Sequence, residues 1–473
     1  MVYTPDFGLA WAVMPITISS SFIIGGVFLA KPMRDRKYVT MMDPFHDKYG
    51  KVISGVFSVA LMLTDLVWVP STLMGLGASM SVVLDLPYVH CIWISATVAI
   101  IYTLLGGLTS VAYTDIIQLI LMSIGMWICV PFLLTNPYSD DIATTALNFT
   151  YQAPWVSSID SDKIWTWIDQ TLLLIFGNLA CQDYYQRILS SSSSATARLV
   201  GLFAAPIVIL VAIPSILIGA VAASTDWNKT AYGSPSPLER GETSLIMPIA
   251  LQQLTPSFIS IVGISATTAA VMSTIDSFML SAVSLFVSNI YKSILRTKAS
   301  DREVQWVIRI MTLVIGLTGT SLVFLEASIM SLWVLGSSIT YVFMFPQLIC
   351  VLFFDISNGY GAMAGLLVSV VLRLLSGETS LGLPVTLHFP GCTLENGVYV
   401  QHAPVNTICM LCNFISALLV SYLASLLFEK GLIPERFNVL KVKTQQSPQI
   451  LMLASSDTVE NHEDEIPEGQ NEN

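Results

Sequence analysis

Charge is scarce in this chain. Asp, Glu, Lys and Arg make up only 11% of its 473 residues, about half the share of a soluble chain of this length. That shortage, with 54% hydrophobic residues and a mean hydropathy of +0.70, excludes an ordinary soluble domain. Histidine is rare too. Five scattered His residues supply no catalytic pair, and there is no Walker loop, nucleophile elbow or metal-ligand cluster. An enzyme is not expected. Of the seven cysteines, Cys91, Cys129, Cys181, Cys350, Cys409 and Cys412 lie in apolar runs and only Cys392 lies in a loop. This excludes a disulfide framework and a zinc site. Strict alternation in short strands is missing, which argues against a barrel. No basic patch points to nucleic acid.

What is present is a series of apolar stretches of about 20 residues, the length that crosses a hydrocarbon layer of about 30 Å as a helix. Eleven spans are expected, near 8–30, 52–83, 89–107, 111–134, 165–181, 199–222, 257–290, 305–325, 329–354, 359–375 and 403–428. The chain reads as an all-α polytopic membrane protein. Residues 1–430 form its transmembrane domain, and 431–473 form an acidic, unpatterned tail expected to be disordered.

Lys and Arg are distributed unevenly. Seventeen lie in one set of loops, 31–51, 182–198, 291–309 and 429–443. The alternate loops hold three, Lys163, Lys229 and Arg240. The positive-inside rule places the first set in the cytoplasm, with the N-terminus outside and the C-terminus inside. The two Asn-X-Thr sequons, at Asn148 and Asn228, then fall outside, where glycosylation occurs. Seven residues with no basic n-region precede the first span. An eleven-span chain starting outside without a leader reads as one whose beginning is missing.

Polar groups within spans are costly and are functional candidates for that reason. The densest run is Ala269–Ser277. Ala270, Ser273 and Thr274 share one helix face, and a carbonyl with two hydroxyls suits sodium. Small-residue helix packing, with hydroxyls bonded back to the helix, explains the same spacing. Asp65, Asp115 and Asp169 are further intramembrane acids. Asp115 is also explained by a helix start, and Asp169 by a solvated outer end. Snorkelling and a surface pair explain Arg373 and Glu378 as well as a gate does. Trp68 and Trp333 lie deeper than the interfacial Trp155, Trp165 and Trp167. Gly177 to Cys181 interrupts a span, as broken helices do at transporter sites.

Several longer runs are specific: Phe28–Arg34, Tyr38–Phe45, Tyr102–Asp115, Tyr185–Ser193, Asp226–Gly233 and Phe345–Leu348. Through them the chain resembles the choline-transporting branch of the sodium/solute symporter family, collinearly from about Val2 to Pro434. The resemblance implies a five-plus-five inverted-repeat fold and sodium-coupled import of choline by alternating access. It implies a sodium half-site at Ala270, Ser273 and Thr274, a glycan at Asn228, and no cofactor beyond the coupling sodium, with chloride as a candidate further ion. It also implies a multi-pass protein of the plasma membrane, presynaptic terminal and synaptic vesicle. A homo-oligomer is left open. The family has thirteen spans, so the resemblance implies that this chain begins after the first two, which carry the other half of the sodium site.

Pocket residues depart from the family. Trp68 matches a family Trp that holds the quaternary ammonium, but Cys181 stands where the family has Trp, Ile18 where it has Tyr, and Ser338 where it has Asp. Loss of two aromatic faces weakens binding by about 3 kcal/mol, roughly a hundredfold, if nothing replaces them. Two other readings therefore stay open: a symporter for another small solute, and a non-transporting chain that associates with a full-length partner.

Overall fold

The computed structural model describes residues 1–324, 328–378, 381–395 and 397–434, with positions 438 and 440; the side chains of 108–110 are outside the description. Apart from those positions, the expected tail from 431 onward also lies outside it.

The apolar stretches fold as helices. In chain order they are α1 (Gly8–Asp35), α2 (Asp43–Tyr49), α3 (Lys51–Leu84), α4 (Tyr88–Gly107) and α5 (Val111–Leu134). Next come α6 (Ile164–Asn178), α7 (Gln182–Leu189), α8 (Ser194–Ala223) and α9 (Ile246–Leu254). The series ends with α10 (Ser257–Leu295), α11 (Asp301–Leu322), α12 (Ile329–Phe353), α13 (Gly359–Leu375) and α14 (Val405–Glu429). Counting α6 and α7 as one interrupted span, ten helices among the described residues are long and apolar enough to cross a membrane, and α13 is a shorter apolar helix. These are the eleven expected spans.

Local chemistry sets many of the boundaries. Ser193 accepts from the Thr196 N–H at the start of α8, Ser300 from Glu303 at α11, Ser328 from Ser331 at α12, and Asn358 from Gly361 at α13. Each cap satisfies a backbone donor that has no partner within its own helix. Between α4 and α5 the break falls at Gly107, whose φ of 60° and ψ of −175° leave the helical region. A side chain at that φ is strained, so glycine permits the kink.

The helices pack around several buried clusters. One joins Phe45, Phe57 and Leu61 to Tyr185 and Leu348, another joins Trp68 and Val69 to Phe278 and Ile315, and a third joins Tyr3 and Met126 to Leu251. Outward faces remain apolar. On α5, Ile116, Ile117, Ile120, Leu121 and Ile124 are all exposed, a surface suited to lipid rather than water.

Loops sort into two groups that match the charge count. In one, Arg34 Nε donates to the Ser191 carbonyl at 2.8 Å, and the Met41 N–H to Gln182 Oε1 at 2.9 Å. Lys48 Nζ meets the carbonyls that end α12, including Phe354 at 2.6 Å. In the other, the Asp140 N–H meets the Ser224 carbonyl at 2.9 Å and the Asp226 N–H meets that of Tyr138 at 3.0 Å. A hairpin, β1 (Thr393–Glu395) with β2 (Val398–Val400), is antiparallel and pairs Leu394 with Tyr399. The loops crowded with Lys and Arg thus contact one another, and so do the loops that carry the sequons.

Candidate substrate and cation sites

The interruption expected at Gly177–Cys181 is present. α6 ends at Asn178, Cys181 is extended with φ −99° and ψ 135°, and α7 begins at Gln182. The Ala180 N–H closes a turn onto the Gly177 carbonyl at 3.0 Å. Asn178 bonds back to the Leu174 carbonyl at 2.7 Å, and Cys181 Sγ faces the Gly177 carbonyl at 3.4 Å. Unwound backbone is tolerated at this depth because protein groups satisfy it.

An aromatic cluster sits beside the break. Trp68 on α3 stacks on Trp333 of α12, with centroids 5.0 Å apart and planes 18° apart, and packs on Phe278 of α10 at 4.9 Å. Its indole Nε1 donates to the Trp333 carbonyl at 3.2 Å. The ring is 2% exposed. Gly336 makes this approach possible: a Cβ there would lie 2.3 Å from Trp68 Nε1. Cys181 belongs to the same cluster, so the break and Trp68 come together as expected. Trp333 Nε1 is buried and lacks a hydrogen-bond acceptor. Phe278 was not singled out from sequence. Its position four residues after Thr274 on the polar run was the available signal. Ile18 is half-buried on α1 and is not among the residues that pack on this cluster.

Ala270, Ser273 and Thr274 lie half-buried on α10. Thr274 Oγ1 bonds back to the Ala270 carbonyl at 3.0 Å, the arrangement that helix packing also explains. Ser273 Oγ instead donates to Asp115 Oδ1 of α5 at 2.5 Å. Arg187 of α7 completes the group, donating to Asp115 Oδ2 at 3.3 Å and to Ser277 Oγ at 2.7 Å. Asp115 is therefore a partner of the polar run rather than simply a helix-start residue. Arg187 was not recognised from sequence, because a charge count assigns it to a loop. One turn along, buried Asp276 accepts from Thr103 at 2.8 Å. Carboxylate, hydroxyl and carbonyl oxygens of this kind are hard ligands suited to an alkali cation.

Two other charged groups near span ends are structural. Asp169 is buried rather than solvated. It accepts from the Asn406 N–H at 3.0 Å, Asn406 Nδ2 at 2.9 Å, the Thr407 N–H at 2.7 Å and Thr407 Oγ1 at 2.6 Å. A carboxylate from α6 thereby caps the first turn of α14. Arg373 does not snorkel. It pairs with Glu378, with both side chains 16% exposed, and also donates to Ser338 at 3.2 Å and to the Gly377 carbonyl at 2.9 Å. Ser338 in turn donates to Asn406 Oδ1 at 2.6 Å. Trp155 is a loop anchor, donating to the Ile142 carbonyl at 2.9 Å. Both sequon side chains, Asn148 and Asn228, are exposed.

The model of the Sodium:solute symporter family matches residues 2–369. The chain is 45% identical to the High affinity choline transporter 1 of Homo sapiens over 439 residues, covering 93% of this chain and 76% of that protein. It is 39% identical to the High-affinity choline transporter 1 of Drosophila melanogaster, covering 93% and 70%. Among solved structures, a Na+-coupled sialic acid symporter in a substrate-bound outward-open state aligns at TM-score 0.65 and 19% identity, covering 89% of this chain and 88% of that one. The architecture is accordingly the inverted-repeat symporter fold, and the chain is a multi-pass membrane protein.

Proposed function

The chain belongs to the Sodium:solute symporter family, and from that premise we propose that it imports choline, driven by sodium, through alternating access. The observation that carries this reading is the aromatic cluster of Trp68, Phe278 and Trp333 beside the broken helix. A quaternary ammonium has no hydrogen to donate, so aromatic faces must hold it, at about 2 kcal/mol or more per face when dry. Trp333 Nε1, a buried donor without an acceptor, would then meet the choline hydroxyl.

Trp68 and Trp333 are in mutual contact, so an ammonium can enter only if α3 and α12 part. Opening and closing of this stack is the proposed conformational step. Cys181 is proposed to border the pocket without contributing an aromatic face, whereas Ile18, the other pocket residue expected from the resemblance, lies off this cluster. Sodium is proposed to bind at Ala270, Ser273 and Thr274, with Asp115 as an added anionic ligand. There it would displace Arg187 from Asp115 and couple the ion to the movement of α7, which begins at the break. Membrane potential would add about 2.3 kcal/mol per charge per 100 mV.

The loops rich in Lys and Arg are proposed to face the cytoplasm, with Asn148 and Asn228 glycosylated outside. The family resemblance is the ground for proposing a plasma-membrane location, with the presynaptic terminal and the synaptic vesicle membrane as further sites, and chloride as a further coupled ion. The test is uptake by cells expressing the chain, with choline, betaine, proline and small carboxylates as competitors. Choline should compete best and uptake should vanish when sodium is replaced by potassium. Preferential inhibition by another solute would assign the pocket to that solute, a reading favoured by Cys181 at the break.

A further inference from the structure

Two arginines on α11 face away from the protein. Arg302, Trp306, Arg309, Leu313 and Leu317 follow one another at intervals of three or four residues, so they form one stripe along the helix. All five are exposed, Trp306 at 62%. Ile310 and Val314 lie beside them and are exposed too. The opposite face of the same turns, Val304, Ile308 and Met311, packs against the cluster of Trp68 and Phe278.

The depth of Arg309 makes this arrangement costly. α11 has 22 residues and is about 33 Å long, so it needs nearly its whole length to cross a hydrocarbon layer of about 30 Å. Arg309 stands eight residues after Asp301, about 12 Å along the axis. A lipid-facing guanidinium there is expensive unless it reaches an anion. The protein supplies none: among the described residues, Arg302 and Arg309 have neither a hydrogen-bond acceptor nor a carboxylate partner. Glu303 is taken by Arg296 at 2.7 Å and by Tyr291 at 2.6 Å, and Asp301 lies about 100° round the helix from Arg302.

Side chains tilt toward the N-terminus of their helix, which for α11 is the end that carries Lys and Arg. Arg309 does so. Its guanidinium carbon lies 5.5 Å from the centre of the Trp306 ring, one turn nearer that end. Stacking on the indole holds the charge where Trp gathers, between acyl chains and headgroups. Arg302 lies a further turn out on the same stripe. Two guanidinium groups bracketing an interfacial indole, with apolar side chains deeper in, match a molecule with a phosphate at one end and hydrocarbon at the other. Two positive charges favour a headgroup of net negative charge over a zwitterionic one.

We propose that the stripe from Arg302 to Leu317 is a docking site for an anionic phospholipid. Its phosphate is held by Arg302 and Arg309, and its acyl chains lie along Ile310, Leu313 and Leu317. On the sidedness proposed above, the lipid belongs to the cytoplasmic leaflet. It sits on the outer face of a helix whose inner face supports Trp68 and Phe278, one helix away from the substrate rings.

Native mass spectrometry of the purified full chain in detergent, titrated with phosphatidylglycerol, tests the site. Sodium, choline and sidedness do not enter, so its outcome is separate from the transport reading. The wild-type chain should take up phosphatidylglycerol ahead of phosphatidylcholine. Arg309→Gln should weaken the first phosphatidylglycerol bound by about fivefold, and Arg302→Gln combined with Arg309→Gln by roughly thirtyfold. Trp306→Leu leaves both charges and should weaken it severalfold. Lys31→Gln combined with Lys430→Gln removes two exposed charges elsewhere on the Lys- and Arg-rich side and should leave it unchanged. Each variant is compared as a single monodisperse species, and Arg309→Gln alone decides the matter where the double variant misfolds. Unchanged phosphatidylglycerol binding in folded Arg309→Gln, an equal loss in the lysine pair, or displacement of the lipid by millimolar inorganic phosphate would overturn the proposal.

Discussion

Trp68 and Trp333 touch twice: their indole rings stack at 5.0 Å, and Trp68 Nε1 donates to the Trp333 carbonyl at 3.2 Å. The first contact closes the space in which an ammonium would sit, and the second fixes the ring to the backbone of α12. Substrate entry therefore has to break a ring contact and a hydrogen bond, which ties occupancy to helix movement.

Removing this ring should hurt binding more than folding. Trp68→Ala is expected to weaken choline binding by about 2 kcal/mol, near thirtyfold, measured by displacement of labelled choline. Trp68→Phe retains a face and should recover part of the loss.

Gly336→Ala probes the same contact from the other side. The added Cβ would lie 2.3 Å from Trp68 Nε1. It forces the indole aside at a cost of about 1–3 kcal/mol. The melting temperature should drop, and labelled choline should bind more weakly.

Asp169 should prove structural. Asp169→Ala leaves two partly buried N–H groups and two side chains at the head of α14 without their acceptor. A loss of about 2–4 kcal/mol follows, seen as a lower midpoint in thermal unfolding. Asp169→Asn keeps one acceptor oxygen and should lose less.

Arg187 competes with sodium for Asp115. The pair is partly exposed, with side chains 43% and 24% accessible, so its worth is about 0.2–1 kcal/mol. Arg187→Gln should lower half-saturating sodium by up to about fivefold in uptake or binding assays. Ser273→Ala and Thr274→Ala should raise it. If both hydroxyl variants kept wild-type sodium dependence, the assignment of that site would fall.

Sidedness can be read at Cys392, the cysteine in the sequon-side loops. A membrane-impermeant maleimide added to intact cells should label it, and Cys392→Ser should abolish the signal. Labelling only after permeabilisation would reverse the orientation.

Much of this was legible in the sequence because a bilayer imposes lengths. The spans, the break at Gly177–Cys181 and the segregation of Lys and Arg follow from hydropathy, from residues that favour unwinding, and from charge. Pairings across helices were less legible. Nothing local in Asp169 announces that Asn406 and Thr407 lie beside it, and Asp115 reads equally as a helix start until Ser273 and Arg187 are placed next to it. The hydroxyl of Thr274 shows why spacing alone is ambiguous. It returns to the Ala270 carbonyl, a bond any Thr in a helix can make. Ile18 shares no cluster with Trp68, and its role was assigned from family resemblance rather than from its own chemistry.

The most direct test is labelled choline uptake by the purified chain in proteoliposomes under an inward sodium gradient. The account predicts accumulation that collapses when the gradient is dissipated and that is reduced in Trp68→Ala. No accumulation by folded protein, or accumulation indifferent to sodium, would contradict it.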